Sequence, residues 1–189
     1  MNIFPKVDYM NKFLLVICFL ILLGCSNDIK LQDAHKISPK QKIVNQIRSR
    51  SAKFIEKEKG LKPCGTGAQM MYEVKMLALA FVYNKPIDID QGREFLVYAA
   101  ETFIDIINED ERIRPYLYNY PFKPKNVEIR IFINNPDNSL VDAGKLCIIS
   151  LIDNYCAYKI WDIQTGRLKT ILKETFEEAK EKIKLRQSI

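Results

Sequence analysis

The chain carries one histidine, His35, and it lies in the polar stretch Asn27 to Ile37. A Ser-His or Cys-His nucleophile needs a base held within hydrogen-bond reach. A base on a polar tether is not held in that way. The sequence also lacks a Cys-x-x-Cys or a histidine pair, so the usual zinc ligand sets are missing and neither metal nor cofactor is expected. Cys64-Gly65-Thr66-Gly67 is the best small motif, because glycines let backbone amides converge on an anion where a helix begins. Met70 stands where a third glycine belongs, and no lysine follows Gly67 as a phosphate-binding loop demands. The stretch therefore reads as a link between two elements. Cys64, outside the predicted sheet, is the one thiol placed to react or to pair between molecules.

Carboxylates offer a second chemistry. Glu94, Glu101, Asp105 and Glu109 line one side of a predicted helix. Glycoside hydrolysis uses two carboxylates flanking a bond, usually from different elements of a cleft. Four acids along one exposed helix instead read as a solvated face, and Glu94 or Glu101 as acid or base belongs to an alternative reading. Asn134 to Asp142 has calcium-like ligands without the central glycine or terminal glutamate, and reads as a turn. Tyr116, Tyr118, Tyr120 and Phe122, bracketed by Pro115, Pro121 and Pro124, are the stronger binding candidates. Aromatics on a proline-stiffened loop suit sugar stacking or a protein contact, at little entropic cost. Arg112 and Arg114 add contacts for carboxylate or phosphate. The competing reading tucks these aromatics under the sheet.

The elements that must position these residues follow from capping and periodicity. Ser38-Pro39-Lys40-Gln41 opens a helix with a serine cap, an early proline and a capping-box glutamine; Gly60 is placed to end it. Ile43, Val44, Ile47, Phe54 and Ile55 share one side. Met70 to Tyr83 fits either a buried helix or a strand, and a strand from about Glu73 is preferred, with Leu77, Leu79, Phe81 and Tyr83 on one face. Asp88 or Asp90 caps a helix to about Ile107, with Phe95, Ala99, Phe103, Ile106 and Ile107 inward. Val127 to Ile133 alternates as a half-buried strand. Leu146 to Ile152 and Tyr155 to Asp162 form a hairpin about Asp153-Asn154. In that register Cys156 faces Leu151 and Cys147 faces Ile160, both on one face. The two thiols then lie roughly 13 Å apart along the ladder, too far for a disulfide. Gln164-Thr165-Gly166 turns the chain into Leu168 to Leu172, and Thr175 with Glu178 caps a last helix. The order means α+β: an antiparallel sheet of about four strands with helices covering one face.

The N-terminus says where the domain works. Lys6 and Lys12 precede eleven apolar residues, Phe13 to Leu23. A helix of that length rises about 16 Å, roughly half a bilayer core, so it reads as an export signal rather than a span. Leu22-Leu23-Gly24-Cys25 resembles the lipobox of bacterial lipoproteins. The resemblance implies cleavage after Gly24 (recognition residues Leu22, Leu23 and Gly24), acylation of Cys25 and a palmitate-type lipid anchor. It also implies outer-membrane sorting, because Ser26 stands where an inner-membrane retention aspartate would sit. Arg112-x-Arg114-Pro-Tyr-Leu-x-x-Tyr120-Pro-Phe, followed by Asn126-Val-x-Ile-x-Ile, resembles a group of uncharacterised exported proteins of intracellular bacteria, over residues 65 to 180. That second likeness implies no activity.

Residues 1–24 are thus read as signal, 25–37 as lipidated tether and 38–189 as one α+β domain. After cleavage, 29 − 2 = 27 basic and 23 − 1 = 22 acidic residues leave a net charge of +5. Export argues against nucleic acid as the partner of that charge, and anionic lipid or glycan matches it better. Seven basic residues against two acids between Ser38 and Lys59 place the first helix near the membrane, through Arg48, Arg50 and Lys53. The expected function is that of an envelope lipoprotein with a binding or structural role, toward an envelope protein or cell-wall glycan. A carboxylate-dependent wall enzyme and an inner-membrane accessory subunit are the alternatives.

Overall fold

The computed structural model describes residues 37–188. Leu22, Leu23, Gly24, Cys25, Ser26 and His35 lie outside the described residues. Helix α1 (Pro39–Lys59) starts as its sequence directs: the Ser38 side chain accepts the Gln41 amide, and Gly60 ends it in the left-handed region at φ 68°. Gln41 does not close a capping box; its side chain donates to Asn45 Oδ1.

Strand β1 (Lys62–Gln69) follows, then β2 (Met76–Tyr83), helix α2 (Ile89–Glu109), β3 (Val127–Ile133), β4 (Leu146–Ile152), β5 (Tyr155–Asp162), β6 (Arg167–Thr175) and helix α3 (Phe176–Gln187). Asp88 caps α2, and Thr175 with Glu178 forms the expected reciprocal cap of α3. Asp153 and Asn154 both take positive φ, at 49° and 67°, as a two-residue hairpin turn requires.

The architecture is α+β, with a six-stranded mixed sheet in the order β1-β2-β3-β4-β5-β6. It is larger than the expected four strands, and not wholly antiparallel. Cys64-Gly65-Thr66-Gly67 is no link but the middle of β1, an edge strand antiparallel to β2. Strands β2 and β3 run parallel, which requires a crossover, and α2 provides it. The three helices pack side by side and all contact the sheet. Leu77, Leu79, Phe81, Val127, Ile129, Ile131, Ile149 and Leu151 point at them and form the core with Phe95, Ala99 and Phe103.

Gly92 on α2 lets the crossover helix lie close on β4. A Cβ there would stand 3.2 Å from Leu146 Cδ2 and 3.4 Å from Ile149 Cδ1. Leu146 and Ile149 both face the helices because β4 bulges between Leu146 and Ile148. The bulge also changes the partner of Cys147: Leu146, not Cys147, pairs with Ile160. Cys156 pairs with Leu151 as expected and is buried, whereas Cys147 is half-buried and donates from Sγ to the Lys159 carbonyl at 3.3 Å. Cys64, Cys147 and Cys156 are all free thiols.

Candidate functional site

The acidic side of α2 is not an open pair of carboxylates. Lys180 Nζ lies 2.6 Å from Glu101, and Arg186 lies 3.7 Å from Glu94 and 3.5 Å from Asp90. The stripe is largely an ionic seam between α2 and α3. Partial burial, then repulsion from Glu101 and Glu109, pushes the Asp105 carboxyl above its ordinary value; Lys180 opposes the rise.

The segment 112–122 is divided. Phe122 is buried and Tyr116 is packed against the core, so these two tuck inward. Arg112 is spent on Asp110 at 2.8 Å and on Gln46 at 3.1 Å; its guanidinium holds the Asp110 carboxyl below the usual range. Arg114 pairs with Glu111 at 3.3 Å and lies 5.1 Å from the Tyr120 ring. Tyr118 and Tyr120 alone of the predicted aromatics face solvent, at 53 % and 54 % exposure. Short 3-10 turns at Arg114–Tyr116 and Pro124–Asn126 flank them, and Asn108 clamps the loop by accepting the Phe122 amide and donating to its carbonyl.

A segment distant in the sequence joins this loop from the other side. Val74 exchanges backbone bonds with Tyr116 and Tyr118, at 2.7 and 3.0 Å, tying the β1–β2 connection to the aromatic segment. At the tip of that connection Met71 and Tyr72 are 85 % and 87 % exposed. Lys40, in the first turn of α1, holds the connection by donating to the carbonyls of Met70, Met71 and Tyr72 at 2.8 to 3.0 Å.

A buried charge cluster was equally invisible in the sequence, since Arg93 and Glu174 are 81 residues apart. Glu174 Oε1 accepts from Arg93 Nε and from the Tyr158 hydroxyl, each at 2.8 Å, and Oε2 accepts from Lys182 at 2.7 Å. Burial alone would raise the Glu174 carboxyl, but these three donors outweigh it and hold the group below its ordinary value. Burial, and next the Glu174 charge, pushes the neighbouring Cys156 thiol up to about 12. Every polar atom of the carboxylate is used, which makes the cluster a clasp between α2, β5, β6 and α3. Among the described residues there is no group of three metal-type ligands, and no helix is long and apolar enough to cross a membrane.

Among the described residues the three helices lie on one face, and nothing covers the other face of the sheet. Val82, Phe132 and Ile148 form a row across β2, β3 and β4. Beside it Ile152, Tyr155, Trp161 and Leu168 project from β4, β5 and β6, each 37–45 % exposed. Toward β1 the face becomes shallow, floored by Gly65, Gly67, Ala78 and Ala80 and edged by Glu128 and Arg130. A legible signal existed: β4 and β5 carry large apolar residues at both parities, as strands with two apolar faces do. Comparison of the chain with protein-family models, curated proteins and solved structures finds no match among any of the three.

Proposed function

We propose that this chain is a bacterial envelope lipoprotein, anchored through Cys25, whose α+β domain is a binding module that acts through the open face of its sheet. The observation that carries the reading is the open face itself, with the exposed pairs Ile152–Tyr155 and Trp161–Leu168 at the two ends of β5. Large apolar side chains exposed on one face of a domain mark an interaction surface. Ile152 lies across from Tyr155 and Leu168 across from Trp161, and an aliphatic side chain beside each ring fits a protein partner. Lys159 and Lys173 rise from the same face, and Lys173 lies 4.3 Å from the Tyr155 ring. The matching partner therefore has an apolar patch with carboxylates around it.

The ion pairs of Glu94 and Glu101 work against a wall enzyme built on those acids. Outer-membrane sorting, read from Ser26, separates this proposal from an inner-membrane accessory subunit, and membrane fractionation distinguishes them. The main test is photo-crosslinking in intact cells, with the crosslinker placed at Leu168 or Ile152. A recurring protein adduct is expected at both positions. Adducts with wall glycan alone, or none at either position, would sink the protein-binding module.

A further inference from the structure

We propose that the end of the domain formed by Met71, Tyr72, Tyr118 and Tyr120 docks on an anionic phospholipid surface. The proposal rests on the lipid-anchor reading for bringing the protein to that surface.

Three observations converge on this end. First, the four side chains project from backbone that is held in place: Lys40 clasps the carbonyls of residues 70 to 72, Val74 ladders with Tyr116 and Tyr118, and Asn108 clamps Phe122. Their exposure, highest at Met71 and Tyr72, is therefore built in. Second, the surroundings are basic. With Lys40 held by carbonyls, Arg112 paired to Asp110 and Arg114 to Glu111, Lys75, Lys123 and Lys125 stand against Glu73, so 3 − 1 gives a free charge of +2. Lys75 lies 5.0 Å from the Tyr118 ring, and Arg114 5.1 Å from that of Tyr120. Amphipathic rings with adjacent cations are the pairing that settles at a bilayer's headgroup level, and each basic residue near an anionic leaflet adds about 1 kcal/mol of attraction. Third, Lys40 joins this end directly to the first turn of α1, where the chain arriving from Cys25 begins the domain. The 13 steps from Cys25 to Ser38 span at most about 45 Å, so a lipid on Cys25 keeps this end within reach of the membrane.

The surface differs from the one expected on α1. Arg48 is used by Gly67 and Asn45, and Arg50 by Ile106 and Asp110. Two of the three cations that were to meet the membrane are thus held by the protein itself.

The sole tryptophan, Trp161 on the open face, is a built-in control. The test uses the purified, acylated protein in vesicles of phosphatidylethanolamine and phosphatidylglycerol with brominated acyl chains. Tyr72→Trp and Tyr118→Trp variants are each made in a Trp161→Phe background and compared with the wild-type chain. Quenching of the indole at 72 and at 118 is expected to exceed that of Trp161 several-fold, and to fall at high salt. Equal quenching at the three positions overturns the proposal; undiminished quenching in pure phosphatidylcholine overturns the assignment to an anionic surface. Mass spectrometry of the same sample keeps the two readings apart. An unmodified Cys25 sinks the anchor, and flotation of that protein with added anionic vesicles then decides the docking end alone, with failure to float overturning it.

Discussion

Glu174 is held by donors from three elements, so its loss is felt in all three at once. Removing one member of a buried, hydrogen-bonded ion pair leaves the other uncompensated, at a cost of about 3–5 kcal/mol. Glu174→Ala is expected to fall in that range by urea unfolding, because Arg93 and the Tyr158 hydroxyl both lose their acceptor. The same carboxylate gives the domain an acid limit. Its folded value lies below the unfolded one of about 4.3, as does that of Asp110 below about 3.9. Their contribution is therefore complete above those unfolded values and is lost as the pH falls through the lower, folded ones. Urea midpoints should stay level from pH 8 to 5 and drop below about pH 4. In Glu174→Gln that acid drop should be shallower, starting from a lower plateau; a drop as steep as that of the wild type would show that Glu174 is not its source.

At the scale of elements, the parts legible in the sequence are those with local chemistry. Ser38 and Thr175 cap their helices as read, Asp88 is the one of the two offered aspartates that caps α2, the alternation of Val127 to Ile133 became β3, and Asp153-Asn154 made its turn. What escaped depends on neighbours distant in the chain. β1 contains proline and two glycines and has little strand character of its own. It is a strand because Gly65 and Gly67 lie across from Ala80 and Ala78, where a Cβ would sit at 3.4 and 3.3 Å. The bulge at Cys147 shifted the expected pairing by one residue, which no periodicity announces. The aromatic loop was half legible: its composition marked it, but only packing decided that Phe122 goes in and Tyr118 stays out. The crossover helix has its own check. Gly92→Val places a side chain against Leu146 and Ile149 and should cost about 1–3 kcal/mol through overpacking, despite a better helix propensity. A gain in stability would mean that α2 can lift from β4 freely.

Across the described domain, helices cover one side of the sheet and leave the other open, while loops at one end gather rings and cations. The two surfaces are built from different elements, so variants in one should leave the other intact. The edges of the sheet bear on how many molecules can gather there. Along β1 the outer rim is broken by Pro63 and by a bulge at Cys64; along β6 it carries Arg167, Lys169 and Lys173 and a second irregularity opposite Tyr158 and Lys159. Both rims are of the kind that resists strand-to-strand addition. With the rims closed, growth of the sheet from copy to copy has no place to start, and the open face gives each molecule one valence. Assemblies that use it should terminate at two bodies, whether the second is a different protein or another copy of this chain. Mass photometry that resolves pairs and nothing larger would fit this limit; a ladder of higher species would break it.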